Sequence, residues 1–152
     1  MSSSVRHMTP DGEIEEVPAE SLKLGYRSSV YSKNKNIILS AKLKLHPGDK
    51  NEIREKMDDL IERRKEKQPI DMPSAGSTFK RPEGNFAGTL IEQCGLKGAS
   101  VGGAMVSEKH AGFIVNTGDA TCSEVLRLIE KVRDTVLEKS GVLLEPEVRV
   151  IK

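Results

Sequence analysis

"NIILSAKLKLHPGDKNEIREKMDDLIERRKEKQP", residues 36–69, changes its hydrophobic period partway along. Over residues 39–45 the apolar Leu39, Ala41, Leu43 and Leu45 alternate with Ser40, Lys42 and Lys44, a period of two that predicts a half-buried strand. Beyond His46, Pro47 and Gly48, the residues Ile53, Met57, Leu60 and Ile61 recur at i, i+4, i+7 and i+8, the spacing of one helical face. Asp49 and Glu52 resemble a capping box at its start, and Pro69 closes it. Strand runs mixed with helices that do not alternate regularly with them argue α+β rather than a doubly wound sheet.

Outward from this stretch the same reading applies. "TPDGEIEEV" (9–17) predicts a turn at Pro10, Asp11 and Gly12 that leads into a short strand, and residues 18–24 can form one helical turn. "MSSSVRHM" (1–8) lacks the apolar core of a signal peptide and reads as an artificial start that nothing structural demands. "FAGTLIEQCGLKG" (86–98) predicts a short helix with Leu90, Ile91 and Cys94 on one side and Gly95 as its stop. "GAMVS" (103–107) and "AGFIVN" (111–116) read as strands. In "TCSEVLRLIEKVRDTVLEKSG" (121–141), Thr121 and Glu124 cap a helix, Gly141 ends it, and Val125, Leu128, Ile129, Val132 and Val136 face inward. The final "GVLLEPEVRVIK" (141–152) predicts a strand with Val142, Leu144, Val148 and Val150 on one face and Glu145, Glu147, Arg149 and Ile151 on the other. The expected fold is therefore α+β, an antiparallel-rich sheet with packed helices.

Composition narrows the function. Aromatic residues make up 3% of the 152-residue chain and Trp is absent, so the core must come from Val, Ile, Leu, Met and Ala. A net charge of +1, with both signs mixed locally as in "EIREKMDDLIERRKEK" (52–67), argues against a nucleic-acid binder and for a solvated helix face. Cys94 and Cys122 stand in no CxxC or Cys/His cluster, which points away from a metal site and toward a reduced, cytoplasmic protein. No apolar run approaches the ~20 residues that span a bilayer, so no membrane is expected.

The candidate chemistry is weak residue by residue. In "PSAGSTFKRP" (73–82), Ser77 belongs to no nucleophile elbow or triad. This small-sided loop either presents its N–H groups to an anion, with Lys80 and Arg81 adding charge, or is a plain turn. It is not a P-loop. His110 in "SEKHAGFIVN" (107–116) and Arg27 in "GYRSS" (25–29) each have a structural and a functional reading. Residue physics alone stops at an α+β domain with a candidate anion site.

Taken in order, "GYRSS", "PSAGSTFKRP", "IEQCGLKG", "GGAMVSEKHAGFIVN" and "LEPEVRVI" resemble the UDP-N-acetylenolpyruvylglucosamine reductase (UDP-N-acetylmuramate dehydrogenase) family over residues 9–151. The resemblance implies the flavoenzyme of peptidoglycan precursor synthesis, in which NADPH reduces FAD and the flavin hydride goes to the enolpyruvyl group of UDP-N-acetylglucosamine enolpyruvate. It implies that Ser77 donates the proton to the neighbouring carbon, that Arg27 holds the reacting carboxylate, and that Glu147 works with that arginine at the carboxylate. Lys65, Arg81 and His110 fall at substrate-contacting positions, Lys65 at the diphosphate, whereas Glu145 lies outside the pattern. Arg27 and Tyr26 fall beside the flavin. Family members are longer and begin with an FAD-binding region. Residues 1–47 are accordingly expected to be the last part of the FAD-binding lobe, and residues 48–152 the substrate-binding domain. The short passage between Leu45 and Ile53 implies the subclass without a tyrosine-bearing loop. By itself the chain is expected to bind no FAD and to be inactive. That leaves open a partner carrying the FAD-binding segment, and the alternative of a UDP-sugar-binding fragment without turnover.

Overall fold

The computed structural model describes residues 2–151, Ser2 and Ser3 by their backbone alone. Two compact units divide the chain, Met1–Ile53 and Arg54–Lys152.

The first unit is an antiparallel sheet of β1 (Ser2–Met8), β2 (Ile14–Pro18) and β3 (Ile37–Leu43) in the order β2-β1-β3. The stretch "MSSSVRHM" is therefore no dispensable start; it supplies the central strand. Its serines hide the signal, but Val5 and His7, two apart, are both buried. His7 Nδ1 lies 2.8 Å from the Tyr31 hydroxyl, and its Nε2 lies 3.2 Å from Glu15 Oε2. The expected turn joins β1 to β2, with Gly12 at φ 88° and the Thr9 N–H donating to the Glu13 carbonyl. A single 3₁₀ turn, Ala19–Leu22, then tucks Leu22 inward. β3 forms where alternation places it, but the expected half-burial fails. It is an edge strand with every residue exposed, Leu39 at 48% and Leu43 at 61%. Alternation marks which residues share a face; burial requires a second layer over that face.

Helix α1 (Lys50–Lys67) begins at Asp49, whose Oδ1 accepts the N–H groups of Asn51 and Glu52. No residue of α1 is buried, and Ile53, Met57, Leu60 and Ile61 are all about half exposed.

The second unit is built differently. Strands β4 (Ser74–Ser77), β5 (Ser100–Val101), β6 (Ala104–Val106) and β7 (Phe113–Asn116) form an antiparallel sheet in the order β4-β7-β6-β5. Helices α2 (Ala87–Gln93) and α3 (Cys122–Ser140) close its core. Ile91, Val106, Leu128, Val132, Val136 and Leu144 are fully buried there. α3 follows its sequence pattern closely. Thr121 and Glu124 form a reciprocal capping box, and Gly141 ends the helix at φ 72°, a left-handed conformation that glycine adopts without strain. Residues 141–151 depart from expectation, because they form no strand beyond one bridge between Phe79 and Pro146. Leu144 is buried, Val142 and Val148 pack on the core's edge, and Val150 is exposed. An α+β fold of antiparallel sheets and three helices results. Among the described residues, no helix is long and apolar enough to cross a membrane.

Candidate functional site

β4 lies at a sheet edge, and its pairing with β7 slips out of register between Ser74 and Ser77. Gly76 takes up the irregularity at φ 88°, with open space where a Cβ would stand. Ser77 follows it, exposed, and its Oγ lies 3.4 Å from the Phe79 carbonyl. That separation is long for a hydroxyl donor, so the hydroxyl retains its capacity for another partner.

The next residue, Thr78, is buried at 3% exposure and bonds in three directions. Its N–H donates to the Gly112 carbonyl at 2.8 Å, its Oγ1 accepts the Ile114 N–H at 3.1 Å, and its carbonyl accepts the Glu147 N–H at 2.8 Å. Lys80 adds a backbone bond to the Glu145 carbonyl at 2.8 Å and a side-chain ion pair with Glu145. Pro146 fits between these bonds because it faces Phe79, a position that asks for no N–H from it. Arg133 on α3 donates Nε to the Leu144 carbonyl at 3.0 Å, fixing the start of this segment. Half-buried Glu147 is thus tied by its own N–H to the residue after Ser77.

His110 joins the same cluster through Gly112. The Gly112 N–H donates to His110 Nδ1 at 3.1 Å, so a neutral ring carries its proton on Nε2. The ring meets Phe113 edge-on with centroids 5.1 Å apart. It also packs so closely on Gly88 and Gly112 that a Cβ at either would come within 3.1 Å or 3.0 Å of its Cε1. Arg81 is exposed, its guanidinium 4.0 Å above the Phe86 ring and its Nε 3.3 Å from the Asn85 carbonyl. Lys65 stands on α1, where it pairs with Glu62 at 2.6 Å, and no hydrogen bond found among the described residues ties it to the Ser77 cluster.

Tyr26 and Arg27 belong to the first unit. They form the centre of a tight turn closed by two backbone bonds between Gly25 and Ser28, at 3.0 and 3.2 Å. Arg27 sits at φ 53°, a left-handed conformation uncommon for a residue with a side chain, and Tyr26 is 68% exposed. The guanidinium lies 6.0 Å from the Tyr26 ring centroid. An aromatic face and a cation are therefore offered together to solvent.

The second unit also contains an apolar cavity of about 500 Å³, lined among others by Ala75, Thr78, Ile114, Cys122 and Val148. Among the described residues, no group of three or more His, Cys, Asp and Glu side chains could hold a metal ion. Sequence reasoning missed Thr78 and Arg133. A single threonine or arginine carries no periodic or motif signal, and the partners of both are backbone groups of other segments.

Three comparisons bear on this cluster. Residues 68–151 match the family model described as UDP-N-acetylenolpyruvoylglucosamine reductase, C-terminal domain. The UDP-N-acetylenolpyruvoylglucosamine reductase of Lachnoclostridium phytofermentans is 54% identical over 97% of this chain and 48% of its own length. That of Exiguobacterium sibiricum is also 54% identical, over 95% of this chain and 47% of its own length. The chain thus spans about half the length of these curated relatives. The crystal structure of UDP-N-acetylenolpyruvylglucosamine reductase (MurB) from Thermus caldophilus aligns with a TM-score of 0.82 and 37% identity, covering 97% of this chain and 52% of that one.

Proposed function

We propose a function from the premise that this chain belongs to the UDP-N-acetylenolpyruvoylglucosamine reductase family, as a member of its C-terminal domain. It provides the substrate-binding and proton-donating part of a cytoplasmic oxidoreductase that converts UDP-N-acetylglucosamine enolpyruvate to UDP-N-acetylmuramate for peptidoglycan. Residues 48–152 form the substrate domain and residues 1–47 the end of a flavin-binding lobe. The rest of that lobe corresponds to the part of the relatives outside the matched span. The direct link of residues 44–49 between β3 and α1 favours the subclass without the extra loop.

FAD, beside Tyr26 and Arg27 and reduced by NADPH, would supply the hydride to the terminal carbon of the enolpyruvyl group. The chain's own residues do the remainder. Electron density released by that addition spreads from the neighbouring carbon onto the substrate carboxylate, which Arg27 holds by charge, with Glu147 working together with that arginine. Ser77 gives its hydroxyl proton to the carbon and later regains one from solvent. A serine hydroxyl stays protonated at neutral pH, which suits it to quench a basic carbon. Arg81, Lys65 and His110 take the UDP-sugar, with Lys65 at the diphosphate. The exposed pair Tyr26 and Arg27 fits a planar, anionic cofactor, an aromatic face beside a cation.

The observation that carries the reading is the bond from the Glu147 N–H to the Thr78 carbonyl, which sets the carboxylate-bearing segment beside an exposed Ser77. The test uses an enzyme assembled from this chain and the remaining part of the Lachnoclostridium phytofermentans relative. Stopped flow then separates flavin reduction by NADPH from flavin reoxidation by the enolpyruvyl sugar. Ser77→Ala leaves the first nearly normal and slows the second ~10²–10⁴-fold, the usual worth of a general acid. Reoxidation at the parent rate would make Ser77 a turn residue only.

A further inference from the structure

We propose that Thr78 is a positioning residue, which sets Ser77 and Glu147 relative to one another by bonding three segments at once. This deepens the reductase reading and rests on it. Thr78 is 3% exposed, in surroundings that include Ile114 and Val148, where a valine of the same shape would pack equally well. Its hydroxyl therefore needs a reason. The register slip between Ser74 and Ser77 breaks the regular ladder of β4 and β7. At that break the Ile114 N–H, a buried donor, finds Thr78 Oγ1 at 3.1 Å. The hydroxyl thereby holds the irregularity that turns Ser77 toward solvent.

The other two groups of Thr78 extend the arrangement. Its N–H takes the Gly112 carbonyl, and the Gly112 N–H in turn holds His110 Nδ1. Its carbonyl takes the Glu147 N–H. Any displacement of Thr78 is passed through one peptide bond to Ser77 and through one hydrogen bond to Glu147. Proton donor and carboxylate ligand thus share a single support. Misplacement by ~1 Å can cost ~10²-fold in rate when geometry is demanding, so a small shift at this support has a large kinetic effect.

Thr78→Val keeps the shape and removes the acceptor, while Thr78→Ser keeps the acceptor. Amide exchange on this chain, followed by NMR, reads the support directly. With valine the Ile114 and Glu147 amides exchange roughly tenfold faster, about the equivalent of one hydrogen bond, while Val106 is unaffected. Serine restores them. In the assembled enzyme described above, Thr78→Val slows flavin reoxidation by the enolpyruvyl sugar ~10–10²-fold and leaves reduction by NADPH at the parent rate; Thr78→Ser restores reoxidation. Reoxidation at the parent rate in Thr78→Val, while Ser77→Ala is slow, overturns the positioning role alone. Equal slowing of both half-reactions, or no rescue by serine, also overturns it, because a general loss of fold would then explain the effect. If Ser77→Ala itself reoxidises at the parent rate, the reductase reading falls and the positioning role with it.

Discussion

The two sheets of this chain are both antiparallel and differ in what lies on them. The four-stranded sheet β4-β7-β6-β5 shares with α2 and α3 a continuous core, in which Leu128, Val132, Val136 and Leu144 have no exposed surface. The three-stranded sheet β2-β1-β3 has Val5 and His7 as its buried side chains among the described residues, with Leu22 of the neighbouring 3₁₀ turn, while Ile14, Ile37, Ile38, Leu39 and Leu43 are roughly half exposed. Sheet pairing satisfies the backbone in both. Only the unit with helices over its sheet converts apolar side chains into a large stabilising term.

The most direct attempt to break this contrast is a pair of leucine truncations followed by urea unfolding. Leu128→Ala should cost about 2–5 kcal/mol, the usual range for emptying a fully packed site. Leu39→Ala should stay within about 0.5 kcal/mol, as surface changes do. Comparable losses would mean that β3 is covered in solution.

The helix cap offers a smaller effect. Thr121→Ala removes the N-cap of α3 and should cost about 1 kcal/mol. Its partner Glu124 has a carboxyl below the usual range, chiefly because it accepts the Thr121 backbone N–H. Glu16 of β2 is also lowered, first by the Ser4 hydroxyl and then by Lys42. A carboxyl lowered in the folded state stabilises above its unfolded pKa, and that contribution is lost as pH falls through the folded value. Melting temperature against pH should therefore flatten on its acid side in both Glu124→Gln and Glu16→Gln. An unchanged acid slope would remove the carboxylate's role in that unit.

A small effect is also expected where the residues stand nearest the candidate site. Glu145→Gln breaks the ion pair with Lys80, but both side chains meet solvent, so the loss should be no more than about 1 kcal/mol by thermal unfolding. A larger loss would show that the side-chain pair, and not the backbone bonds beside it, holds residues 145–147 in place.

How far these features can be read from sequence depends on whether their causes are local. α3 is legible throughout, because the 3.6-residue period, the Thr121 and Glu124 box and the terminal Gly141 all act within one segment. β3 is legible as a strand but not as an exposed one, since what covers a face is decided elsewhere in the chain. β1 is obscured because its buried pair includes a histidine, and polar serines fill the positions before it. At the candidate site, Ser77 and Glu147 stand out only through the family resemblance. Thr78 stands out not at all, because its importance lies in three bonds to segments distant along the chain.

Pro146 has a consequence for the alignment of Glu147. The Lys80 N–H meets the Glu145 carbonyl and the Glu147 N–H meets the Thr78 carbonyl, with Pro146 between them facing Phe79. A slip of one residue along the 78–80 segment would bring Pro146 opposite Thr78, whose carbonyl would then lose its donor because proline has none. The imide ring thus acts as a frame mark. It penalises the one-residue shift and so holds the Glu147 N–H on the Thr78 carbonyl, beside the strand that ends in Ser77.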